Sequence, residues 1–230
     1  MEKGPSRKLD VIFHADGVGS TALVQVNETL AHERIQETFR RFSQDTTAQG
    51  GEAREIRGDA LVAEFSRASD AIEAAVSFQY ANTAHLAALT DDVKPVVRVG
   101  IAIGEVVIAD NTVTGEGVVL AQRLEQLAES GGVCLQDAAY QTVPKRLPFN
   151  HENLGEQKLK GFAEPVRAYV VRREGEQPVA ASQMTSATEP ADIGPTEEPS
   201  IAGTIVQSRR ASAHTDIVSW RCTRLRLIPK

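Results

Sequence analysis

Two aspartates stand where strands give way to turns, Asp16 and Asp59. Asp16 closes the β-rich run Leu9-Asp10-Val11-Ile12-Phe13-His14-Ala15 and opens the turn Gly17-Val18-Gly19-Ser20-Thr21. Asp59 follows Gly58 between two short apolar runs. Two carboxylates at strand ends beside a glycine-rich turn suit a magnesium and phosphate site. Hard divalent cations take oxygen ligands, and a pair of them can clamp both ends of a phosphoryl displacement. Read singly, Asp16 is also a helix N-cap and Asp59 a turn residue. His14 lies one strand period before Asp16 and projects to the same face. It reads as a hydrogen-bonded core histidine, with a third metal ligand as the alternative.

The elements that must position these residues follow from periodicity. Residues 8–15 read as a strand. Residues 30–42 have helical spacing through Ile35, Phe39 and Phe42, stopped by Gly50-Gly51. Residues 53–56 and 61–65 read as a hairpin turning at Gly58-Asp59. A second helix spans 68–86 with Ile72, Val76 and Tyr80 on one stripe. A strand-rich stretch over 95–108 is expected to turn back at Gly104-Glu105. A third helix over 117–128 shows Leu120, Leu124 and Leu127 on one side, and Gly131-Gly132 ends it. A strand at 133–135, a short helix near 138–143 and a strand at 167–171 complete the series. This order predicts an α+β fold, a ferredoxin-like split βαβ sandwich with helices on one face of a largely antiparallel sheet.

Bulk composition narrows the functional classes. The net charge of -6 opposes a general nucleic-acid binder. The central run 96–103 has no aromatics to stack bases, which opposes an RNA-binding sandwich. No GxxxxGK[ST] occurs, so a P-loop NTPase is excluded. Cys134 and Cys222 have no metal-ligand spacing. No apolar run reaches membrane-spanning length, so a cytoplasmic protein with no membrane partner is expected. Residues 173–230 form an expected disordered tail, rich in Ala, Ser, Thr, Pro and Glu before a basic end that holds Trp220. The catalytic unit is placed at 8–172.

Five segments in order resemble the class III adenylate/guanylate cyclase catalytic domain. They are His14-Ala15-Asp16-Gly17-Val18-Gly19-Ser20-Thr21, Arg57-Gly58-Asp59-Ala60, Val99-Gly100-Ile101-Ala102-Ile103-Gly104-Glu105-Val106, Gly115-Glu116-Gly117-Val118-Val119-Leu120-Ala121-Gln122-Arg123-Leu124-Glu125, and Leu154-Gly155-Glu156-Gln157-Lys158-Leu159-Lys160-Gly161. The resemblance implies cyclisation of a nucleoside triphosphate. The ribose 3′-hydroxyl attacks the α-phosphorus in line and pyrophosphate leaves. It implies a metal site at Asp16, Gly17 and Asp59 that holds two Mg²⁺ or Mn²⁺ ions. It places Gly19, Ser20 and Thr21 at the triphosphate, where glycines admit backbone N–H groups and a helix start favours anions. It makes Arg123 the transition-state arginine, whose fixed charged fork suits a pentacovalent phosphate. Lys160 matches a lysine on the β- and γ-phosphates, with a solvated surface lysine as the alternative. In this family the sites lie at a head-to-tail dimer interface, so a homodimer is implied and a lone monomer should be inactive.

The base-reading positions depart from the adenylyl type. Glu55 stands where those enzymes carry a lysine, Thr112 where they carry an aspartate, Val119 in place of the ribose asparagine and Ala60 in place of a glycine. Ionised Glu55 accepts only, which suits the N1–H and N2–H₂ donors of guanine. Guanylyl cyclases carry a glutamate at the matching position, so GTP is favoured over ATP, with a pyrimidine still open. The alternative function is a degenerate cyclase homologue that binds nucleotide or dimerises as a regulatory module.

Overall fold

The computed structural model describes residues 6–109, 112–144 and 149–173, which fall in the first of two units, Met1–Val179. The expected tail, with Cys222 and Trp220, lies outside the described residues.

The strands are β1 (Ser6–Val18), β2 (Glu52–Arg57), β3 (Ala60–Phe65), β4 (Val96–Ala109), β5 (Thr112–Thr114), β6 (Val133–Gln136), β7 (Phe149–Gln157) and β8 (Val166–Arg173). The helices are α1 (Ser20–Val26), α2 (Glu28–Ala48), α3 (Ala68–Ala87), α4 (Glu116–Leu127) and α5 (Asp137–Gln141). The sheet runs β2-β3-β1-β4-β6-β8-β7, with β5 paired to β4. Its first four strands have the order of the split βαβ unit, as expected. Every pairing is antiparallel except β4 with β6.

Strand alternation assigns the two faces. Val11, Phe13 and Ala15 enter one core with Phe39 and Phe42 of α2 and Phe78 of α3. Phe42 stacks on Phe78 at 3.6 Å, and Phe13 meets Phe42 edge-on at 5.0 Å. Ile12 points the other way, into a second core with Leu120, Ala121 and Leu124 of α4. Helices therefore cover both faces, not one. The sequence periodicity of α4 is amphipathic but carries no information on which face of the sheet it covers.

Glycines set how closely α4 lies on β4. A Cβ on Gly100 would stand 2.0 Å from the carbonyl oxygen of Ala121 and 2.3 Å from the amide nitrogen of Glu125. A Cβ on Gly104 would stand 2.4 Å from the Cα of Gly117. Gly104 is thus a close-approach position. The strand runs straight through it to Ala109, and the expected turn at Gly104-Glu105 is absent. Tyr80 is 54% exposed, so the buried face of α3 continues through Gln79, Asn82 and Leu86 instead. Gln79 donates to the Val97 carbonyl at 2.8 Å and Asn82 to that of Pro95 at 3.1 Å, which fixes the start of β4. No helix among the described residues is long and apolar enough to cross a membrane.

Candidate active site

The β2–β3 hairpin turns on two residues, Gly58 and Asp59, and Gly58 takes a positive φ of 60° that only glycine adopts freely. The turn folds back onto β1. The Gly17 amide donates to the Asp59 carbonyl at 2.8 Å, and a Cβ on Gly17 would already crowd the Asp59 Cβ at 3.2 Å. This clasp brings the two candidate carboxylates together. The Asp16 carboxyl is raised above its ordinary range, first by partial burial and then by the charge of Asp59, while Arg98 pulls the other way.

Among the described residues no cluster of three or more His, Cys, Asp or Glu side chains is arranged to hold a metal. The protein donor set at Asp16 and Asp59 is two carboxylates. That fits Mg²⁺ or Mn²⁺, which commonly take one or two carboxylates and fill the remaining positions with phosphate oxygens and water. His14 does not join this set. It is 7% exposed, and burial pushes its imidazole down to about 4. Its Nδ1 lies 3.9 Å from Glu125 Oε2 and has no hydrogen-bond partner. It is a core histidine, but not the hydrogen-bonded one expected.

Beside Asp59 opens a groove of about 630 Å³, lined by Ser20, Thr21, Gly58, Asp59 and one face of α2. Gly19 caps α1 with a positive φ of 64°. Helix α1 has seven residues and buries none of them, so it presents a short turn rather than a long dipole.

The cationic candidates form a separate pair. Arg123 donates through Nε to the Lys160 carbonyl at 3.1 Å and through Nη1 to Gln126 at 3.1 Å. Among the described residues no hydrogen bond or ion pair joins Arg123 or Lys160 to Asp16 or Asp59. Glu55 lies on β2, mostly covered and ion-paired with Arg57. Thr112 opens β5, in register with Ala109, and β2 and β5 lie against each other. Val119 is 40% exposed on α4.

Two residues to which the sequence alone assigns no role, Arg98 and Glu125, meet behind Asp16. Arg98 faces Asp16 in the β1–β4 register, and its Nη2 lies 3.8 Å from Asp16 Oδ2 and 2.8 Å from Glu125 Oε1. The shorter contact is an ion pair set off-axis for a hydrogen bond. Glu125 is 2% exposed, and its carboxyl is pushed up to about 7 by burial, against the pull of Arg98. Glu125 sits next to Leu124 in the apolar stripe of α4, and that adjacency was the available signal.

The family pattern described as adenylate and guanylate cyclase catalytic domain matches residues 2–173. A putative adenylate cyclase 3 of Rhizobium meliloti is 29% identical over 71% of this chain, and an uncharacterized protein of Mycobacterium tuberculosis is 32% identical over 54%. The matches span 28% and 41% of those two proteins, so the chain matches less than half of each relative's length. Among solved structures, an adenylate/guanylate cyclase/hydrolase of Silicibacter pomeroyi superposes with a TM-score of 0.67 at 29% identity. That alignment covers 74% of this chain and 100% of the other. The adenylyl cyclase CyaB of P. aeruginosa shares the fold, with a TM-score of 0.63 at 22% identity over 74% of this chain and 96% of its own.

Proposed function

The chain belongs to the adenylate and guanylate cyclase catalytic domain family, and from that premise we propose that it converts a nucleoside triphosphate, GTP in preference to ATP, to the 3′,5′-cyclic nucleotide and pyrophosphate. The observation that carries the proposal is the clasp from the Gly17 amide to the Asp59 carbonyl, which brings two carboxylates together beside an open groove.

Asp16 and Asp59 hold the divalent cations, with Gly17 at the same site. When bound, these ions lower the pKa of the attacking hydroxyl and neutralise phosphate charge. Gly19, Ser20 and Thr21 border the triphosphate. Arg123 places a permanent positive charge at the developing pentacovalent phosphate, and Lys160 meets the outer phosphates. Glu55 reads the donor edge of guanine, with Thr112 beside it. Val119 offers no hydrogen bond to the ribose, which costs orientation, on the order of 10²-fold in rate.

The active form is a homodimer. Support comes from the bonding of Arg123 within one chain, to the Lys160 carbonyl and to Gln126 and, among the described residues, to neither aspartate. A complete site takes its aspartates from one copy and its cations from the other. A second reading, a nucleotide-binding or dimerising module without turnover, draws on Val119 and on the engagement of Glu55 by Arg57. Incubation with all four triphosphates and Mn²⁺, followed by mass spectrometry, separates the two. The proposal expects cyclic GMP as the main product; absence of any cyclic nucleotide favours the module.

A further inference from the structure

Behind Asp16 the β1–β4 register places a guanidinium. An arginine facing a single carboxylate tends to close on it in a two-pronged pair. Arg98 instead has two carboxylates within reach and lies nearer the buried one, 2.8 Å from Glu125 against 3.8 Å from Asp16.

We propose that Glu125 is a positioning residue that holds the Arg98 guanidinium off Asp16, leaving the Asp16 carboxylate free to take a divalent cation. This rests on the reading of Asp16 and Asp59 as the cation site.

The packing supports a dedicated role. A carboxylate at 2% exposure is costly to bury unless a cation answers it. Its neighbours on α4, Leu120, Ala121 and Leu124, are apolar, and an apolar side chain would pack there more readily. Glu125 reaches Arg98 only because α4 lies directly on β4 at Gly100, where any side chain would overlap the backbone of Ala121 and Glu125.

The charges give the same answer. Ionised Glu125 balances Arg98, so the two aspartates keep their negative potential for a cation. Without Glu125, a full positive charge turns on Asp16 and repels the ion as well. Opposed unit charges a few ångströms apart at a half-buried site are worth well over tenfold in an equilibrium.

The test uses the full chain and Mn²⁺ alone as the probe, with free Mn²⁺ read by electron paramagnetic resonance. Folding is checked by circular dichroism. Asp16→Asn is the control and should lose binding. Glu125→Gln should weaken Mn²⁺ binding by about tenfold or more. Adding Arg98→Gln to Glu125→Gln should bring the affinity back toward wild type, because the competing cation is gone. A merely structural Glu125 predicts the reverse, a double variant no tighter than the single. Should Glu125→Gln fail to fold, Glu125→Asp carries the same test, since it keeps the charge but shortens the reach. It should bind Mn²⁺ more weakly than wild type and recover when Arg98→Gln is added. Unchanged affinity in the Glu125 variants, or no recovery in the double variant, overturns the proposal while leaving the cation site intact. Unchanged affinity in Asp16→Asn overturns the cation site itself, and the proposal with it.

Discussion

The Gly17 amide donates to the Asp59 carbonyl at 2.8 Å, so the end of β1 and the tip of the β2–β3 hairpin are one structural unit. The side chains that flank this bond are the two aspartates. The backbone therefore holds these two residues next to each other.

Base choice should follow the chemistry at positions 55 and 112, which lie on touching strands. Glu55→Lys with Thr112→Asp replaces an acceptor by a donor and a hydroxyl that both donates and accepts by a group that only accepts. The double variant should shift the ratio of kcat/KM for GTP and ATP toward ATP by about tenfold or more, one to two hydrogen bonds' worth. An unchanged ratio in competition assays would remove Glu55 from base reading.

Subunit sharing can be read from mixed variants. Arg123→Ala and Asp59→Ala should each lose activity as homodimers. Mixed together, they form heterodimers in which one site has both wild-type aspartates and a wild-type arginine. About a quarter of wild-type activity is expected for random pairing, taking one of two sites in half of the dimers. Mixtures as inactive as the parents would place all the site's residues in one chain.

Helix α4 should tolerate no side chain beneath it at position 100. Gly100→Ala places a Cβ 2.0 Å from the Ala121 carbonyl oxygen, and the obstruction is backbone on both sides. The expected loss is toward the upper end of the ~1–3 kcal/mol typical of overpacking, read as a lower denaturation midpoint. A midpoint equal to wild type would mean that α4 does not lie this close to β4.

Stability should carry the signature of Glu125. Its folded carboxyl titrates at about 7 against an ordinary value of 4.5, so the folded state binds this proton more tightly than the unfolded chain does. Linkage then makes this group's contribution fall as pH rises from about 4.5 to about 7 and stay flat above. Buried His14, pushed from 6.5 down to about 4, acts in the opposite sense over an overlapping range, so the Glu125 effect is read as a difference between wild type and Glu125→Gln. That difference should move in favour of the variant between pH 5 and pH 8 in urea titrations. A pH-independent difference would contradict the raised carboxyl.

Local pattern made much of this fold legible. The hairpin at Gly58-Asp59, the apolar faces of α2 and α4 and the split βαβ order all follow from spacing and turn residues. Three elements escaped, in whole or in part, for physical reasons. Strand β5 has three residues, too few for any period to register. Strand β7 is mostly exposed and pairs only with β8 at the sheet edge, so it lacks the apolar alternation of a half-buried strand. Helix α1 was expected only as a helix start at Ser20-Thr21, and its extent to Val26 escaped because it buries nothing and leaves no stripe. Gly104 was misread because a glycine in a strand signals either a turn or a close approach, and only the position of Gly117 decides between them. Within the site, Asp16 and Asp59 were visible as carboxylates beside glycines, although β1 runs on through Asp16 to Val18 and Gly19, not Asp16, caps α1. Arg98 and Glu125 were not, since their meeting depends on the β1–β4 register and on how α4 lies across it.

The most direct test of the central claim is Mn²⁺-dependent pyrophosphate release from GTP by wild type and Asp59→Ala. If Asp16 and Asp59 together hold the catalytic cations, wild type releases pyrophosphate only with Mn²⁺ or Mg²⁺, and the variant is slower by about 10²-fold or more. An Asp59→Ala protein with the wild-type rate and the same metal dependence would contradict it.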